Sequence, residues 1–168
     1  MISKEYKELN EKLHNRNRNY GVGGKFWIQP VKKWAKEHGC KSILDYGAGK
    51  GVLSEGLKDT LDVRSYDPCI PAISASPDNA DLVVCKDVME HVELEYVEDV
   101  LDHIKSLADK SALFSIATIK SNKNLPDGRN CHITLEKPDW WIEKIKTRWT
   151  IEKLEIKDKA VNAYCVLL

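Results

Sequence analysis

Long apolar runs are missing from this sequence. Nowhere do eighteen apolar residues follow one another, so it predicts no membrane-spanning helix. Cysteine is sparse and scattered: Cys40, Cys69, Cys85, Cys131 and Cys165 are odd in number and form no C-x-x-C pair. That pattern argues against a disulfide framework or a cysteine-rich zinc site and fits a reducing, cytoplasmic setting. The opening residues 1–8 are charged and lack the apolar core of a secretory leader, which carries the same expectation. Excess charge of either sign is absent too, at a formal net charge of +0, and with it the simplest argument for a nucleic-acid partner. Internal repeats, low-complexity tracts and linkers are not seen. The 168 residues predict one domain over 1–168, with an N-terminal helical segment over 1–38 and an α/β core over 40–168.

What is present is unevenly placed. Residues 12–36 hold seven basic side chains and no acid, and residues 87–102 hold seven acids and no Lys or Arg. The basic segment leaves a phosphate-bearing substrate open, although charge runs are more often solvated faces. Tyr6, Leu9 and Leu13 form a stripe at helical spacing over 3–13, followed by a turn-rich loop over 15–24 with Gly21, Gly23 and Gly24. A second helix is expected over 26–38, stopped by Gly39. Strands and helices then alternate: strand 42–46, helix 52–57, strand 62–66, strand 82–85, helix 94–108 and strand 112–117. Pro138 opens a helix over 139–147, and two strands, 149–157 and 161–168, close the chain around a short turn. Alternation predicts an α/β fold with a mostly parallel sheet, and the closing hairpin makes one edge antiparallel.

Where the first strand meets its helix stands Asp45-Tyr46-Gly47-Ala48-Gly49-Lys50-Gly51. Glycine there lets the backbone turn sharply and a ligand approach, and the helix start offers free N–H donors. A dinucleotide turn of G-x-G-x-x-G type needs its third glycine at Val52, which disfavours a nicotinamide oxidoreductase. Asp67 closes the next strand, twenty-two residues after Asp45, and a carboxylate there can accept both ribose hydroxyls of either cofactor class. The D-x-G-x-G-x-G pattern resembles the first motif of class I S-adenosylmethionine-dependent methyltransferases. The resemblance implies a Rossmann-like fold whose turn holds the amino-acid part of S-adenosylmethionine. Asp45 would help to place its ammonium, and Gly47, Ala48, Gly49, Asp67 and Pro68 would contact the cofactor.

Asp81-Leu82-Val83-Val84-Cys85-Lys86-Asp87-Val88-Met89-Glu90-His91 resembles the fourth-motif region of many small-molecule methyltransferases. In that family the strand end lines the transfer site, which implies Lys86 and Asp87 beside the cofactor. If the stretch is helical, Asp87, Glu90 and His91 share one face. Three readings stay open: an acid/base site with His91, His132 or Asp87 acting on the acceptor; a divalent ion held by Asp87, Glu90, His91 and His132; or a helix start where acids suit the dipole. The ion option resembles ubiquinone-pathway O-methyltransferases and RNA 3′-end ribose methyltransferases, whose E-x-x-E-H has Asp87 here in place of its first Glu. A metal is not expected.

Farther on, Asp127-Gly128-Arg129-Asn130-Cys131-His132 precedes Trp140 and Trp141. This arrangement resembles small stand-alone bacterial and phage methyltransferases over nearly the whole chain. Arg129, Asn130 and Trp141 are expected to orient or wall a substrate, with core packing for one tryptophan and a surface cap for the other as the alternative. Cys131 reads as a small packed residue. Tyr20 is expected near the methionine end of the cofactor, on a glycine-bearing lid. Only fourteen residues separate Asp67 from Leu82, so the sheet should lack one edge strand and helix of the full family fold, and a loop near 76–79 should meet the adenine. The expected reaction is O- or N-methylation of a small-molecule acceptor, yielding S-adenosylhomocysteine, by a monomer or homodimer free of the membrane. RNA or DNA methylation, and a non-catalytic S-adenosylmethionine-binding module, are the alternatives.

Overall fold

A computed structural model describes residues 2–17 and 20–168. The run Leu82-Val83-Val84-Cys85 is fully buried because both faces of its strand are covered, as a continuous apolar strand requires. Side chains alternate across it. Leu82 and Val84 join Ile43 and Leu113 beneath one helical layer, and Val83 and Cys85 join Leu44 and Phe114 beneath the other. That strand, β3 (Ala80–Lys86), pairs in parallel with β1 (Ser42–Tyr46) and with β4 (Ala108–Ala117). β2 (Asp62–Tyr66) lies parallel on the far side of β1, while β6 (Ala160–Leu167) and β5 (Trp149–Lys157) add an antiparallel edge. The order is β2-β1-β3-β4-β6-β5.

The helices follow from their apolar stripes. α1 (Lys4–Arg16) is capped by Ser3, whose hydroxyl accepts from Tyr6 N at 3.1 Å. α2 (Ile28–Glu37) and α3 (Val52–Leu57) cover one face of the sheet; α4 (Val97–Leu107) and α5 (Pro138–Lys146) cover the other. The helix expected over 26–38 divides. Gly23–Trp27 is a 3₁₀ turn and the α-helix begins at Ile28, which leaves Pro30 in the first turn, where its missing N–H costs nothing. The helix expected over 94–108 likewise opens with a 3₁₀ turn at Leu94–Tyr96. β4 begins directly after α4, earlier than expected, because Ala108 pairs with Ala80 across a register shift.

Between Tyr66 and Ala80 the described chain forms no strand, only the 3₁₀ turn Pro71–Ile73, so the sheet is shortened at that edge as the sequence predicts. The loop at 76–79 lies elsewhere than expected. Arg64 binds Asp78 at 3.6 Å and the Asn79 carbonyl at 2.6 Å, and Asn79 reaches Asp109 at 3.0 Å. These contacts hold it at the amino ends of β3 and β4, far from the strand ends that carry the glycine turn. All five cysteines are buried and free. Among the described residues no helix is long and apolar enough to cross a membrane.

Candidate active site

Strand order reverses between β1 and β3: β1 is followed in sequence by β2 on one side and then β3 on the other. Open α/β sheets leave a crevice at the carboxyl ends of such a pair. Here the crevice is a cavity of about 540 Å³ lined from β1, β2, β3 and β4 ends and roofed by α1 and residues 20–24. That volume suits a small-molecule site.

Gly47 and Gly49 shape its floor, at φ +77° and +55°. A Cβ on Gly47 would lie 2.3 Å from Val88 Cγ2, and one on Gly49 would lie 2.8 Å from the Gly21 carbonyl, so neither position tolerates a side chain. Asp67 is fixed beside them. One carboxylate oxygen accepts from Gly49 N at 3.0 Å and the other from Cys69 N at 2.9 Å, which leaves a further lone pair on each. Asp45, at the end of β1, accepts from Ser54 Oγ at 2.7 Å, and burial pushes its carboxyl up to about 6. Pro68, Ala48 and Cys69 also line the cavity, whereas no residue of the 76–79 loop does.

The opposite wall comes from the segment after β3. Asp87 adopts φ +54°, the left-handed region in which Asp is tolerated better than most side chains, and pairs with the Lys86 ammonium. Met89–His91 is a 3₁₀ turn and not the continuation of a helix from Asp87, so Asp87, Glu90 and His91 do not share one face. Glu90 is fully buried; Oε1 accepts from Ala117 N at 3.2 Å, Oε2 has no partner, and burial pushes the carboxyl up to about 8, with Asp87 adding to it. His91 Nδ1 stands 2.8 Å from the Cys131 carbonyl, and His132 Nδ1 stands 2.6 Å from the Ile119 carbonyl. A carbonyl only accepts, so each ring carries a proton on Nδ1 and turns Nε2 away from the backbone. Burial, then the neighbouring His132, hold His91 down to about 3, which keeps it neutral. The two rings meet edge to face at 4.9 Å between centroids. One donor atom each from Glu90, His91 and His132 lies within 4.8 Å of the other two; Asp87 is not in that group.

A family model described as a methyltransferase domain matches residues 9–152. The chain belongs to the methyltransferase domain family. No curated protein matches it in sequence. Among solved structures, this methyltransferase is similar to 1,6-didemethyltoxoflavin-N1-methyltransferase of Burkholderia thailandensis, solved with 1,6-didemethyltoxoflavin and S-adenosylhomocysteine. The TM-score is 0.70 at 13% identity, covering 99% of this chain and 91% of that one. Magnesium protoporphyrin IX methyltransferase of Synechocystis PCC 6803, with bound S-adenosylmethionine, is similar at TM-score 0.69 and 15% identity, covering 100% of each chain. The N-methyltransferase NodS of Bradyrhizobium japonicum WM9, with S-adenosylhomocysteine, reaches 0.63 at 11% identity, covering 98% of this chain and 99% of that one. At such identities the likeness is one of fold, the class I S-adenosylmethionine-dependent methyltransferase fold.

Three expected substrate contacts of the methyltransferase lie away from the cavity. Trp141 is fully buried among α4, α5 and β5 side chains, because the apolar stripe of α5 faces the sheet. Arg129 is exposed and bound to Asp127 at 2.7 Å and Glu5 at 3.0 Å, a loop-to-α1 tie. Asn130 is consumed inside its own loop: Oδ1 accepts from Ser121 N at 2.9 Å and His132 N at 3.1 Å, and Nδ2 donates to the Ser121 carbonyl at 2.8 Å. It orients His132 without reaching the cavity itself. Tyr20 does line the cavity, between His14 and His91, with its hydroxyl donating to Asn10 Oδ1 at 3.1 Å.

Sequence reasoning missed Asn10, His14 and Lys50. His14 lies in the cavity roof with Nδ1 unpartnered, and burial holds it below its usual range against the pull of Asp67. Lys50 N donates to the Gly21 carbonyl and Lys50 Nζ to the His14 carbonyl, both at 2.9 Å. The available signal was the stripe itself. Asn10 and His14 follow Tyr6 at i+4 and i+8, polar side chains on the face that a helix buries. Of the lid residues, Arg18 and Asn19 fall outside those described.

Proposed function

We propose that this methyltransferase moves the methyl group of S-adenosylmethionine to a small-molecule acceptor. The carrying observation is Asp67, whose two carboxylate oxygens are each pinned by one backbone N–H beside a glycine floor, a fitting receptor for a vicinal ribose diol. Gly47, Ala48 and Gly49 form the turn that receives the amino-acid part, Asp45 meets its ammonium, and Pro68 and Cys69 border the nucleoside end. Bound there, the cofactor supplies a sulfonium methyl already activated for displacement. This chain's own contribution is alignment, which carries much of the rate in such a reaction. Tyr20 and His14 close the roof over the cofactor, Lys86 and Asp87 hold the end of β3 in shape, and His91 and His132 present their imidazoles to the acceptor side. The acceptors named for the similar structures are small molecules, which supports the same class here.

Calorimetry on the full chain tests this. S-adenosylmethionine and S-adenosylhomocysteine should each bind with a stoichiometry of one. Asp67→Ala should weaken both at least a hundredfold, on the order of 3 kcal/mol for two lost charged hydrogen bonds. His132→Ala should leave cofactor affinity nearly unchanged while cutting turnover strongly. No heat from either nucleoside ends the proposal. Tight oligonucleotide binding with a steep salt slope would replace the small acceptor with a nucleic acid.

A further inference from the structure

Three side chains of the cavity wall share an odd economy. Glu90 comes from the 3₁₀ turn after β3, as does His91, and His132 comes from the loop after β4. Each has its outer side spent on the backbone: Glu90 Oε1 on Ala117 N, His91 Nδ1 on the Cys131 carbonyl, His132 Nδ1 on the Ile119 carbonyl. Each residue also offers one donor atom to an ion, and these three atoms lie within 4.8 Å of one another. Glu90 Oε2 is the telling atom. It is fully buried and has no hydrogen-bond partner, a state that costs free energy unless something satisfies it. Among the described residues no ammonium or guanidinium is hydrogen-bonded to it, and Lys86 is engaged by Asp87.

A cation answers all three donor atoms at once. Histidines that ligate metals ordinarily donate their other ring nitrogen to a carbonyl or carboxylate, which fixes tautomer and orientation; both imidazoles here are already so held. Two imidazoles and one carboxylate select a first-row divalent ion such as zinc, manganese, iron(II) or cobalt over calcium or magnesium, which prefer oxygen alone. Three protein ligands also leave a position for an outside oxygen, the arrangement of catalytic and not of structural sites.

We infer that Glu90, His91 and His132 form a binding site for a divalent transition-metal ion, and that the acceptor enters its open position through a hydroxyl group. The ion site stands without the methyl-transfer reading; the acceptor class rests on it. The step is O-methylation. The acceptor hydroxyl, its acidity raised by the ion, gives its proton to water, and its oxygen pair forms the new O–CH3 bond. The S–CH3 bond breaks and leaves its pair on sulfur, so the positive sulfonium becomes the neutral thioether. His91 and His132 then act as ligands, and Asp87 takes no part in the ion site.

The test uses the full chain stripped with a chelator. Titration with cobalt(II) should give one equivalent of visible absorption, and calorimetry with zinc or manganese should find one site. Glu90→Gln and His132→Ala should each weaken cobalt binding at least tenfold while S-adenosylhomocysteine still binds within about threefold of wild type, which certifies the fold of the variants. Turnover of hydroxyl acceptors should vanish on chelation and return with the ion. No cobalt spectrum, cobalt binding unaltered in both variants, or full turnover after chelation would each overturn the inference. Cobalt bound without any nucleoside binding would leave the ion site standing and remove the methyl-transfer reading.

Discussion

Asp45 is a buried acid whose charge the fold resists. Its carboxyl is pushed up to about 6 by desolvation, against the pull of Ser54. An acid raised in this way binds its proton more tightly folded than unfolded, so the stability it confers is complete below about pH 4 and is lost as pH rises through about 6. Asp45→Asn removes that loss. The variant should be more stable than wild type at pH 7.5 by roughly 1–3 kcal/mol, with the gap closing toward pH 5, at about 1.4 kcal/mol for each tenfold change in proton affinity. Its affinity for S-adenosylmethionine should fall about tenfold, because the cofactor's ammonium loses its counter-charge. Urea unfolding at the two pH values, with calorimetry at the higher, checks both; parallel unfolding curves would show that Asp45 is not strained by burial. Residues of this kind are legible in sequence because their motif is local: Asp45, Gly47, Gly49 and Asp67 are identified by a strand end and a turn. Trp141 and Arg129 are not, since which face a tryptophan takes and which acid an arginine meets depend on α1 and α4, distant in sequence.

At the scale of elements, α1 is tied to the glycine turn through one residue. Lys50 donates its backbone N–H to Gly21 and its ammonium to the last turn of α1 at His14, where a cation suits the helix dipole. The far end of α1 is held by Ser3, whose N and Oγ donate to Glu93 at 2.7 and 2.6 Å. A ligand that packs against Gly49 therefore packs against the support of α1 as well. Hydrogen exchange over 4–16 and 20–24 should slow when S-adenosylhomocysteine is added, reporting a closed roof. Lys50→Met should weaken the nucleoside three- to tenfold and abolish that protection; equal exchange with and without nucleoside would sink the lid. The sequence foretells the existence of α1 and of nearly every core element, because apolar periodicity is strong there. It foretells boundaries less well where tertiary contact decides: α2 starts at Ile28 to place Pro30, and β4 starts at Ala108 to meet Ala80. Asn10 and His14 were hidden by the same logic, since a polar stripe on a buried face looks like solvent exposure until the cavity beneath it is known.

Across the whole molecule, the cavity lies between two halves that share the β1–β3 ladder and the two apolar cores on either side of it. In the proposed reading β1, β2 and the Gly21 segment supply the cofactor half, and the ends of β3 and β4 with the His132 loop supply the acceptor half. Losing the edge strand beyond β2 shortens the first half without touching the crevice, because strand reversal lies at β1 and β3. A nucleoside bound across that crevice stabilises only the folded state. At a hundred times its Kd it adds about 2.7 kcal/mol, and a chain of this size gains about 2–4 °C per kcal/mol. S-adenosylhomocysteine should therefore raise Tm by about 5–10 °C at that ratio. Asp67→Ala should abolish the rise, and NAD at the same concentration should give none, since Val52 replaces the glycine that a pyrophosphate turn requires. A shift with NAD and none with S-adenosylhomocysteine would reassign the crevice to dinucleotides, because the ribose carboxylate of Asp67 serves both classes and the glycine turn alone separates them.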